Sequence, residues 1–241
     1  AFMSDYEYHE QPITLQELRQ ASLELGPVEG RLAYINEEMR RGLDLIMRFP
    51  RSVTVFGSAR FLEDNPYYQQ ARELGQRIVT ELDYAVITGG GPGIMEAANR
   101  GAKEAGGTSI GVTIRLPKEE QANPYVTEQV DFYYFFTRKV ILSFSALAYV
   151  NFPGGFGTLD EVFEILTLVQ THKIPPVPIV LYGSDYWRDL DSFIRNQLLN
   201  TFHTISPPDP QLYTITDDLD EVIEIVGSAP AKVYRDAWAS E

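Results

Sequence analysis

The sequence predicts an α/β fold in which an N-terminal helical extension precedes a doubly wound parallel sheet. From residue 52 onward, short runs of β-branched and apolar residues alternate with amphipathic segments of helical period, which is typical of repeated β-α units. The runs are almost continuously apolar, as expected of strands that helices cover on both faces. Glycine-bearing turns follow three of the runs, at residues 57–58, 89–93 and 154–157.

The N-terminal extension is predicted to contain two helices after a loose tail at residues 1–12. Thr14 and Glu17 form a capping box that starts the first helix, and Gly26-Pro27 ends it. The second helix is predicted at residues 28–48, with an apolar face made of Leu32, Ile35, Met39, Leu43, Ile46 and Met47. We expect the extension to cover the core of the domain or to pack on a second subunit.

Residues 50–241 are expected to form one domain and residues 1–49 the extension. Strands are predicted at residues 53–56, 84–88, 108–114, 132–136, 147–152, 177–182 and 212–215. Helices are predicted at residues 66–82, 94–105, 138–147, 159–171, 186–199 and 218–226. A polar loop is predicted at residues 116–125.

Composition excludes several classes of function. Acidic residues outnumber basic residues by 34 to 20, for a formal net charge of −14, which argues against binding to nucleic acid or to an anionic membrane surface. The chain has no cysteine and three widely separated histidines, so we expect no disulfide, no metal and no cofactor. No apolar run approaches the length of a membrane span and no signal-peptide pattern is present, which predicts a soluble cytoplasmic protein.

The most informative stretch is residues 151–161, Asn-Phe-Pro-Gly-Gly-Phe-Gly-Thr-Leu-Asp-Glu. Gly154, Gly155 and Gly157 stand between a predicted strand and a predicted helix, where glycine lets main-chain N–H groups approach a ligand and the helix N-terminus favours an anion. The sequence therefore predicts half of a site for a sugar phosphate. Glu161, expected in the first helical turn, is the candidate chemical residue, although a carboxylate there also suits the helix dipole by itself.

Charged residues surround this stretch. Thr158 is predicted to cap the helix, and Asp160 points about 100° away from Glu161 on an α-helix, so only one of the two acids can face the loop. Arg138 and Lys139 are predicted to begin the preceding helix, where cations oppose the dipole. That placement predicts a counter-charge, either a carboxylate such as Glu161 or a ligand phosphate, and a structural salt bridge is the alternative.

The 89–93 turn, Gly89-Gly90-Gly91-Pro92-Gly93, matches neither of the common phosphate loops. It is not a P-loop, because Ile94 and Met95 stand where a lysine and a hydroxyl residue are required. A dinucleotide-binding turn requires a glycine in place of Ile94 and an acid after the next strand, where the sequence has Arg115. The turn either binds an anion or needs glycine only for its geometry.

The sequence resembles the Lonely Guy (LOG) family of nucleoside-monophosphate phosphoribohydrolases, best known for releasing active cytokinin bases. Residues 153–161 match the family signature PGGxGTxxE, residues 89–95 resemble its second block, and Arg138 with Lys139 resembles its Arg-Lys pair. The resemblance covers about residues 50–185 and implies a Rossmann-like fold and a homodimer. The family also carries a lysine decarboxylase label, which the sequence does not support because no Schiff-base lysine with a pyridinium partner can be located.

The resemblance implies that Arg138 and Glu161 are catalytic. It implies a nucleotide site lined by Lys139, Gly154, Gly155, Phe156, Gly157, Thr158 and Thr167, with Glu120 contacting the substrate. The rest of the predicted substrate-binding set is Gly57, Ser58, Gly89, Gly90, Gly91, Gly93, Met95 and Asp160. Compared with the family's short members, Thr88 and Glu96 replace glycines and Phe136 replaces a histidine. These differences leave two alternatives for the base of the substrate: a cytokinin, or an ordinary purine or pyrimidine.

Two functions are compatible with these residues. The first is hydrolysis of a nucleoside 5′-monophosphate to a free base and ribose 5-phosphate, with Glu161 stabilising an oxocarbenium-like ribose or activating water. Arg138 would bind the phosphate or assist the departing base. The alternative is a regulatory module that binds a nucleotide without cleaving it. The presence of Arg138 together with Glu161 favours the hydrolase, since a binder has little use for a carboxylate beside a phosphate.

Overall fold

The computed structural model describes residues 15–115 and 122–230. Within these residues seven strands occur, β1 (Ser52–Phe56), β2 (Ala85–Thr88), β3 (Ser109–Ile114), β4 (Glu128–Phe132), β5 (Ala148–Asn151), β6 (Ile179–Tyr182) and β7 (Thr214–Thr216). They form one parallel sheet in the order β4-β3-β2-β1-β5-β6-β7. The predicted doubly wound α/β fold is confirmed.

The α-helices in the same residues are α1 (Leu15–Leu25), α2 (Pro27–Arg48), α3 (Pro66–Leu82), α4 (Ile94–Glu104), α5 (Phe135–Phe144), α6 (Phe156–Gln170), α7 (Ser184–Phe193) and α8 (Leu219–Gly227). A π-helical segment, Ile194–Thr201, continues α7, so the predicted helix at residues 186–199 is divided. None of the described helices has the length and apolar character that crossing a membrane requires.

Helices cover both faces of the sheet, and each face has its own core. Val53 and Val55 of β1 pack with residues of α3, α4 and α8, whereas Phe56 packs with residues of α2, α5, α6 and α7. Successive residues of a strand point to opposite faces. Both sets of side chains in β1 are therefore buried, which explains why the central strands of the sheet are mostly apolar.

The prediction of a strand at residues 132–136 is wrong. β4 occupies Glu128–Phe132 at one edge of the sheet, and α5 begins at Phe135. In β4 the buried Val130 and Phe132 alternate with more exposed polar residues. An edge strand needs only one apolar face, so a search for continuous apolar runs does not detect it.

Two helices beside the candidate site begin three residues earlier than predicted, α5 at Phe135 and α6 at Phe156. The residue before α6 is Gly155, and no side chain among the described residues caps the helix. The prediction that Thr158 is the cap is therefore wrong, since Thr158 lies inside the first turn. Aromatic residues carry no capping signal, so the sequence does not mark either boundary.

The second helix of the extension, α2, packs on the domain through a face that overlaps the predicted one only in part, since Ile46 is buried and Met39 packs against the core. Its buried residues are Gly30, Tyr34, Glu38, Gly42, Leu45 and Ile46. Leu32, Leu43 and Met47 of the predicted face are instead 59%, 40% and 60% exposed. The buried face lies against α5 and β4, so the extension covers the domain. A search for apolar residues at helical spacing does not detect this face, because it contains two glycines and a glutamate. Thr14, half of the predicted capping box, lies outside the described residues.

The contact between α3 and α4 depends on two glycines. A Cβ atom on Gly101 would collide with the main-chain oxygen of Arg72, and a Cβ atom on Gly75 would collide with that of Ala98. Main chain cannot yield as a flexible side chain can. Because α4 follows the 89–93 turn directly, this close contact also fixes the position of that turn.

We expect Gly101→Ala to lower the free energy of unfolding by about 1–3 kcal/mol, because the two helices must separate to admit the methyl group. This loss is net of the roughly 1 kcal/mol that alanine gains over glycine in a helix. Denaturant unfolding measures the difference. Gly227→Ala at the end of α8 is the control, since the nearest atom to its added Cβ is the end of the Leu82 side chain at 3.1 Å. Equal changes in the two variants would contradict the close-contact explanation.

Candidate active site

The strand order reverses at β1, which has β2 on one side and β5 on the other. In open parallel sheets ligands bind at such a point, outside the C-terminal ends of the strands. The three glycine turns follow these three adjacent strands. The Ser58 N–H donates to the Pro153 oxygen at 2.9 Å, and the Ile94 N–H donates to the Ser58 oxygen at 3.0 Å. A Cβ atom on Gly57 would lie 2.6 Å from the Ile94 side chain. Main-chain hydrogen bonds and close packing thus join the three turns.

The 154–157 turn leaves open space on one side. A Cβ atom on Gly155 or Gly157 would meet no described atom within 4 Å, whereas one on Gly154 would collide with the Thr158 hydroxyl. Phe156 at the tip of the turn is 93% exposed. Gly154 is therefore needed for packing, and Gly155 and Gly157 face a space that a ligand can enter.

Two aromatic residues of α7, which the sequence did not predict, hold the 154–157 turn and the end of the strand before it. The Tyr186 hydroxyl donates to the Gly154 oxygen at 2.6 Å. The indole N–H of the buried Trp187 lies 3.1 Å from the Asn151 oxygen and 3.0 Å from the Tyr182 oxygen. The residues of the first bond are 32 positions apart in the chain. No local pattern connects them.

The 89–93 turn has left-handed backbone at two glycines. Gly90 and Gly93 have φ angles of 74° and 70°, which other residues rarely adopt. A Cβ atom on Gly93 would also collide with the Ser58 oxygen. Pro92 stands two residues before α4, which begins at Ile94. The geometry of the turn is sufficient to explain why Gly90 and Gly93 are glycines.

A buried network of polar side chains holds the 89–93 turn from beneath. Asn123 Nδ2 lies 3.2 Å from the Gly90 oxygen, 3.0 Å from the Gly91 oxygen and 2.9 Å from Asn99 Oδ1. The Thr88 hydroxyl donates to Asn99 Oδ1 at 2.6 Å and accepts from the Gly90 N–H at 2.9 Å. Thr88, one of the departures from the short family members, thus has a defined structural role. Sequence analysis did not identify this network.

Arg138 lies against the 89–93 turn. Its Nε donates to the Val112 oxygen at 2.8 Å, and its Nη2 donates to the Gly89 oxygen at 3.4 Å. A Cβ atom on Gly89 would collide with the guanidinium group, and one on Gly91 would lie 2.8 Å from the Met95 methyl group. Gly89 therefore makes room for Arg138, and the predicted cation and the predicted turn are neighbours.

Lys139 is bound by two carboxylates of α6. Its Nζ lies 2.6 Å from Asp160 Oδ2 and 2.8 Å from Glu164 Oε2. Burial by itself lowers the pKa of Lys139, but these two partners outweigh it and the pKa is raised. For Lys139 the structure shows the alternative that the sequence left open, a structural salt bridge, and its acids are Asp160 and Glu164 rather than Glu161. Arg138 and Lys139 occupy the fourth and fifth positions of α5, so the prediction that they begin the helix is wrong.

Glu161 is buried in the second turn of α6, one turn later than predicted, and is 7% exposed. Its Oε2 has no hydrogen-bond partner among the described residues. Burial raises the pKa of Glu161 to about 7, against the opposing effect of the nearby Lys139. Arg138 is also close enough to lower this pKa. A carboxyl group that exchanges its proton near neutral pH can serve as an acid or as a base.

The remaining predicted residues lie farther from this group or outside the described residues. Thr167 is exposed, its hydroxyl donates to the Phe163 oxygen at 2.7 Å, and it lies six residues, about 9 Å, along α6 from Glu161. The Ser58 hydroxyl accepts from the Arg60 N–H at 3.1 Å. Glu120 lies outside the described residues. The structure thus brings together Glu161, the cations of α5 and the glycine turns.

Comparison with known proteins supports the resemblance. Residues 95–226 match a family described as "possible lysine decarboxylase". A Rhodococcoides fascians protein named cytokinin riboside 5′-monophosphate phosphoribohydrolase is 30% identical over 186 residues, which cover 74% of this chain and 90% of that protein. The chain belongs to the Lonely Guy family.

A second relative has the same functional name as the first, whereas a solved structure of similar fold is named a carrier. An Arabidopsis thaliana relative, also named a cytokinin riboside 5′-monophosphate phosphoribohydrolase, is 28% identical over 182 residues, which cover 73% of this chain and 77% of the relative. The structure of the molybdenum cofactor carrier protein of Chlamydomonas reinhardtii is 26% identical with a TM-score of 0.55 and covers 76% of this chain and 99% of the carrier.

Two further departures of this Lonely Guy chain from the short members have visible surroundings. Glu96 accepts a hydrogen bond from the Tyr68 hydroxyl at 2.9 Å, so it links α4 to α3. Phe136 is 52% exposed, with its ring 5.3 Å from that of Tyr134. Glu96 thus contributes to helix packing, whereas Phe136 lies at the surface of α5.

Replacing Glu161 by glutamine is expected to stabilise the protein at alkaline pH. The pKa of about 7 in the folded state exceeds the value of about 4.3 in an unfolded chain, so the folded state binds the proton more tightly. Between these two values the wild-type protein loses stability as the pH rises. The loss approaches about 4 kcal/mol at pH 8.5, and Glu161→Gln removes it.

Urea unfolding at pH 5 and at pH 8.5 measures this effect. We expect the gain in stability of the variant over the wild type to be about 2–3 kcal/mol larger at pH 8.5 than at pH 5. Glu224→Gln is the control, because Glu224 is exposed on α8 and the same chemical change there should give no gain at high pH. A stability difference that is the same at both pH values would show that Glu161 does not titrate in this way.

Proposed function

We propose that this protein hydrolyses the N-glycosidic bond of a nucleoside 5′-monophosphate and releases a free base and ribose 5-phosphate. The observation that carries the proposal is the Glu161 carboxyl group. It is buried beside Arg138, one of its oxygens has no partner among the described residues, and its pKa is raised to about 7 by burial. Such a group at the edge of an open glycine turn suits catalysis better than it suits stability.

In the proposed reaction the bond between ribose C1′ and the base nitrogen breaks while water attacks C1′. Positive charge develops on the ribose ring, and an adjacent carboxylate stabilises it. The Glu161 carboxylate would supply the stabilising negative charge and accept a proton from the attacking water. The hydroxide adds to C1′, and the departing base nitrogen takes up a proton, so the net reaction consumes one water molecule.

The first turn of α6 would bind the phosphate. The opening N–H groups of a helix lack partners within the helix and favour an anion, and no side chain among the described residues caps α6. Gly155 and Gly157 leave space beside these N–H groups. Lys139 is already bound to Asp160 and Glu164, so Arg138 is the cation better placed to act on the phosphate or on the departing base.

Family membership supports a nucleotide as the substrate. Relatives that share about 28–30% of their residues with this chain are named cytokinin riboside 5′-monophosphate phosphoribohydrolases. We propose AMP or a cytokinin riboside 5′-monophosphate as the substrate class. The homodimer that the family implies stays a prediction, which the exposed Phe136, Phe144 and Phe163 on α5 and α6 would suit.

The family's lysine decarboxylase description receives no support from Lys139. A lysine that forms a Schiff base must lose its proton. The ion pairs with Asp160 and Glu164 raise the pKa of Lys139 despite its burial, which keeps the amine protonated. Lys139 is therefore better suited to hold α6 against α5.

A nucleotide-binding module without turnover is the second candidate function. The observation in its favour is the likeness to the molybdenum cofactor carrier protein, whose name describes a carrier. The buried Glu161 separates the two candidates, because a carrier gains nothing from a titrating carboxyl group beside the bound sugar. A carrier would return the nucleotide uncleaved.

We expect Glu161→Gln to reduce base release from AMP by about 10²–10⁴-fold, the range for removal of an acid-base group. The affinity for AMP should change only a few-fold, because the glycine turns remain intact. Chromatography of the free base measures the reaction, and calorimetry measures the affinity. Glu224→Gln on the distant and exposed side of α8 makes the same chemical change and should act like the wild type. Unchanged turnover in Glu161→Gln would reject the assigned role.

The rate is expected to depend on pH because Glu161 must be ionised to act. The pKa of Glu161 is about 7 in the protein without ligand, and a bound phosphate anion would raise it further. The value of kcat should rise roughly tenfold per pH unit below the pKa of Glu161 in the bound complex and level off above it. The profile of kcat reports the bound complex, so it is not confused with ionisation of the free nucleotide phosphate near pH 6. The residual rate of Glu161→Gln should not show this rise. A kcat that is constant from pH 5.5 to 8.5 would contradict the mechanism.

A further inference from the structure

The buried face of α2 is a stripe of residues spaced four apart: Gly30, Tyr34, Glu38 and Gly42. Residues at this spacing lie on one side of a helix. The Tyr34 ring meets the rings of Tyr133 and Tyr134 edge to face, with both centroid distances at 5.9 Å. The N-terminal extension is thus docked on the connection between β4 and α5, immediately before the cations of the candidate site.

Glu38 is the central contact in this stripe and is 2% exposed. Its carboxylate accepts hydrogen bonds from the Tyr133 N–H and from the Thr137 hydroxyl, the latter at 2.7 Å. Burying a carboxylate is costly unless specific donors bind it. An apolar residue would pack at this position without that cost. We therefore infer that the Glu38 carboxylate serves to orient those two donors.

The two donors flank the first residue of α5. The helix begins at Phe135, and the preceding Tyr134 provides no side-chain cap. Helix N-termini carry unpaired N–H groups and favour a carboxylate. Glu38 places a carboxylate beside this N-terminus from a different helix, and its two hydrogen bonds tie the residue before Tyr134 to the third residue of α5.

Gly42 fixes the distance between the two helices. A Cβ atom on Gly42 would collide with the Ile141 side chain and would lie 2.9 Å from the Phe132 ring. The main chain of α2 therefore approaches α5 one turn beyond Glu38 as closely as a glycine allows. Together with Glu38 this contact leaves α5 little freedom to slide or rotate.

Arg138 follows Thr137 directly. Its main-chain N–H donates to the Tyr134 oxygen at 3.3 Å, and its guanidinium group reaches the Val112 and Gly89 oxygens. A shift in the first turn of α5 would therefore move this guanidinium group relative to the 89–93 turn and Glu161.

We propose that Glu38 is a positioning residue for the active site: by binding the Tyr133 N–H and the Thr137 hydroxyl from the N-terminal extension, it fixes the first turn of α5 and so sets the place of Arg138. The role of the extension in catalysis is thus to hold the Arg138 guanidinium group in place relative to the 89–93 turn and Glu161. The inference rests on the proposed function only in assigning Arg138 a part in the reaction.

Three variants separate positioning from folding. Glu38→Ala leaves both donors without their partner, and we expect kcat/KM for AMP to fall about 10–100-fold, as for a misplaced group. Glu38→Gln can still accept from the Tyr133 N–H and can donate to the Thr137 hydroxyl, which keeps its bond to the Tyr134 oxygen at 2.8 Å. It should remain within about threefold of the wild type. Glu37→Ala removes a neighbouring acid that pairs with Arg40 at 2.7 Å, and it should have no effect.

Rates are measured per folded molecule, well below the melting temperature of each variant, so a general loss of stability does not alter the readout. A double-mutant cycle with Arg138→Ala in single-turnover assays gives the deciding test. If Glu38 acts through Arg138, Glu38→Ala causes little further loss when Arg138 is absent. The same fold-loss in both backgrounds, or wild-type kcat/KM in folded Glu38→Ala, would overturn the proposal. If Glu38→Ala does not fold, Thr137→Val removes one of the two bonds and takes its place in the cycle.

A separate outcome identifies failure of the proposed function. If the wild-type protein cleaves no nucleotide, the hydrolase assignment is wrong, and the same cycle is then run on the calorimetric affinity for AMP. A loss of affinity in Glu38→Ala that disappears in the Arg138→Ala background would still support positioning by Glu38. Additive losses of affinity would reject it.

Discussion

The reversal of strand order at β1 is the constraint from which the candidate site follows. Because β2 and β5 flank β1, turns that are distant in the chain meet at one edge of the sheet. Ser58 joins them, since its N–H donates toward the 154–157 turn and its oxygen accepts from the start of α4. Gly57, Gly93 and Gly154 permit this approach, because a Cβ atom on any of them would collide with a neighbouring group. A shift in one turn is therefore transmitted to the other two.

The electrostatics of the site depend on which acidic groups pair with its two cations, Arg138 and Lys139. The chain carries a net charge of −14, yet Arg138 and Lys139 both lie near Glu161. Lys139 is paired with Asp160 and Glu164, and our proposal assigns the phosphate to the main-chain N–H groups of α6 and to Arg138. Glu161 remains buried with a raised pKa. A group that costs stability in this way is typical of a functional site.

Local patterns account for what the sequence could predict. Apolar runs and glycine turns predict the parallel sheet, and the signature around Glu161 predicts the family. Other features depend on contacts between distant segments: Asn123 reaches a turn 33 residues away, and Glu38 reaches a threonine 99 residues away. Nothing in either local segment reveals these contacts. The starts of α5 and α6 at Phe135 and Phe156 were missed because aromatic residues do not signal a helix cap.

The most direct test of this account is a crystal structure of the Glu161→Gln variant with AMP bound. The account predicts that the phosphate accepts hydrogen bonds from the main chain at Gly155 and Gly157, at the start of α6. It also predicts that ribose C1′ lies beside the side chain at position 161, with Arg138 within reach of the phosphate or the base. A phosphate bound elsewhere, or a ribose whose C1′ is out of reach of position 161, would contradict it.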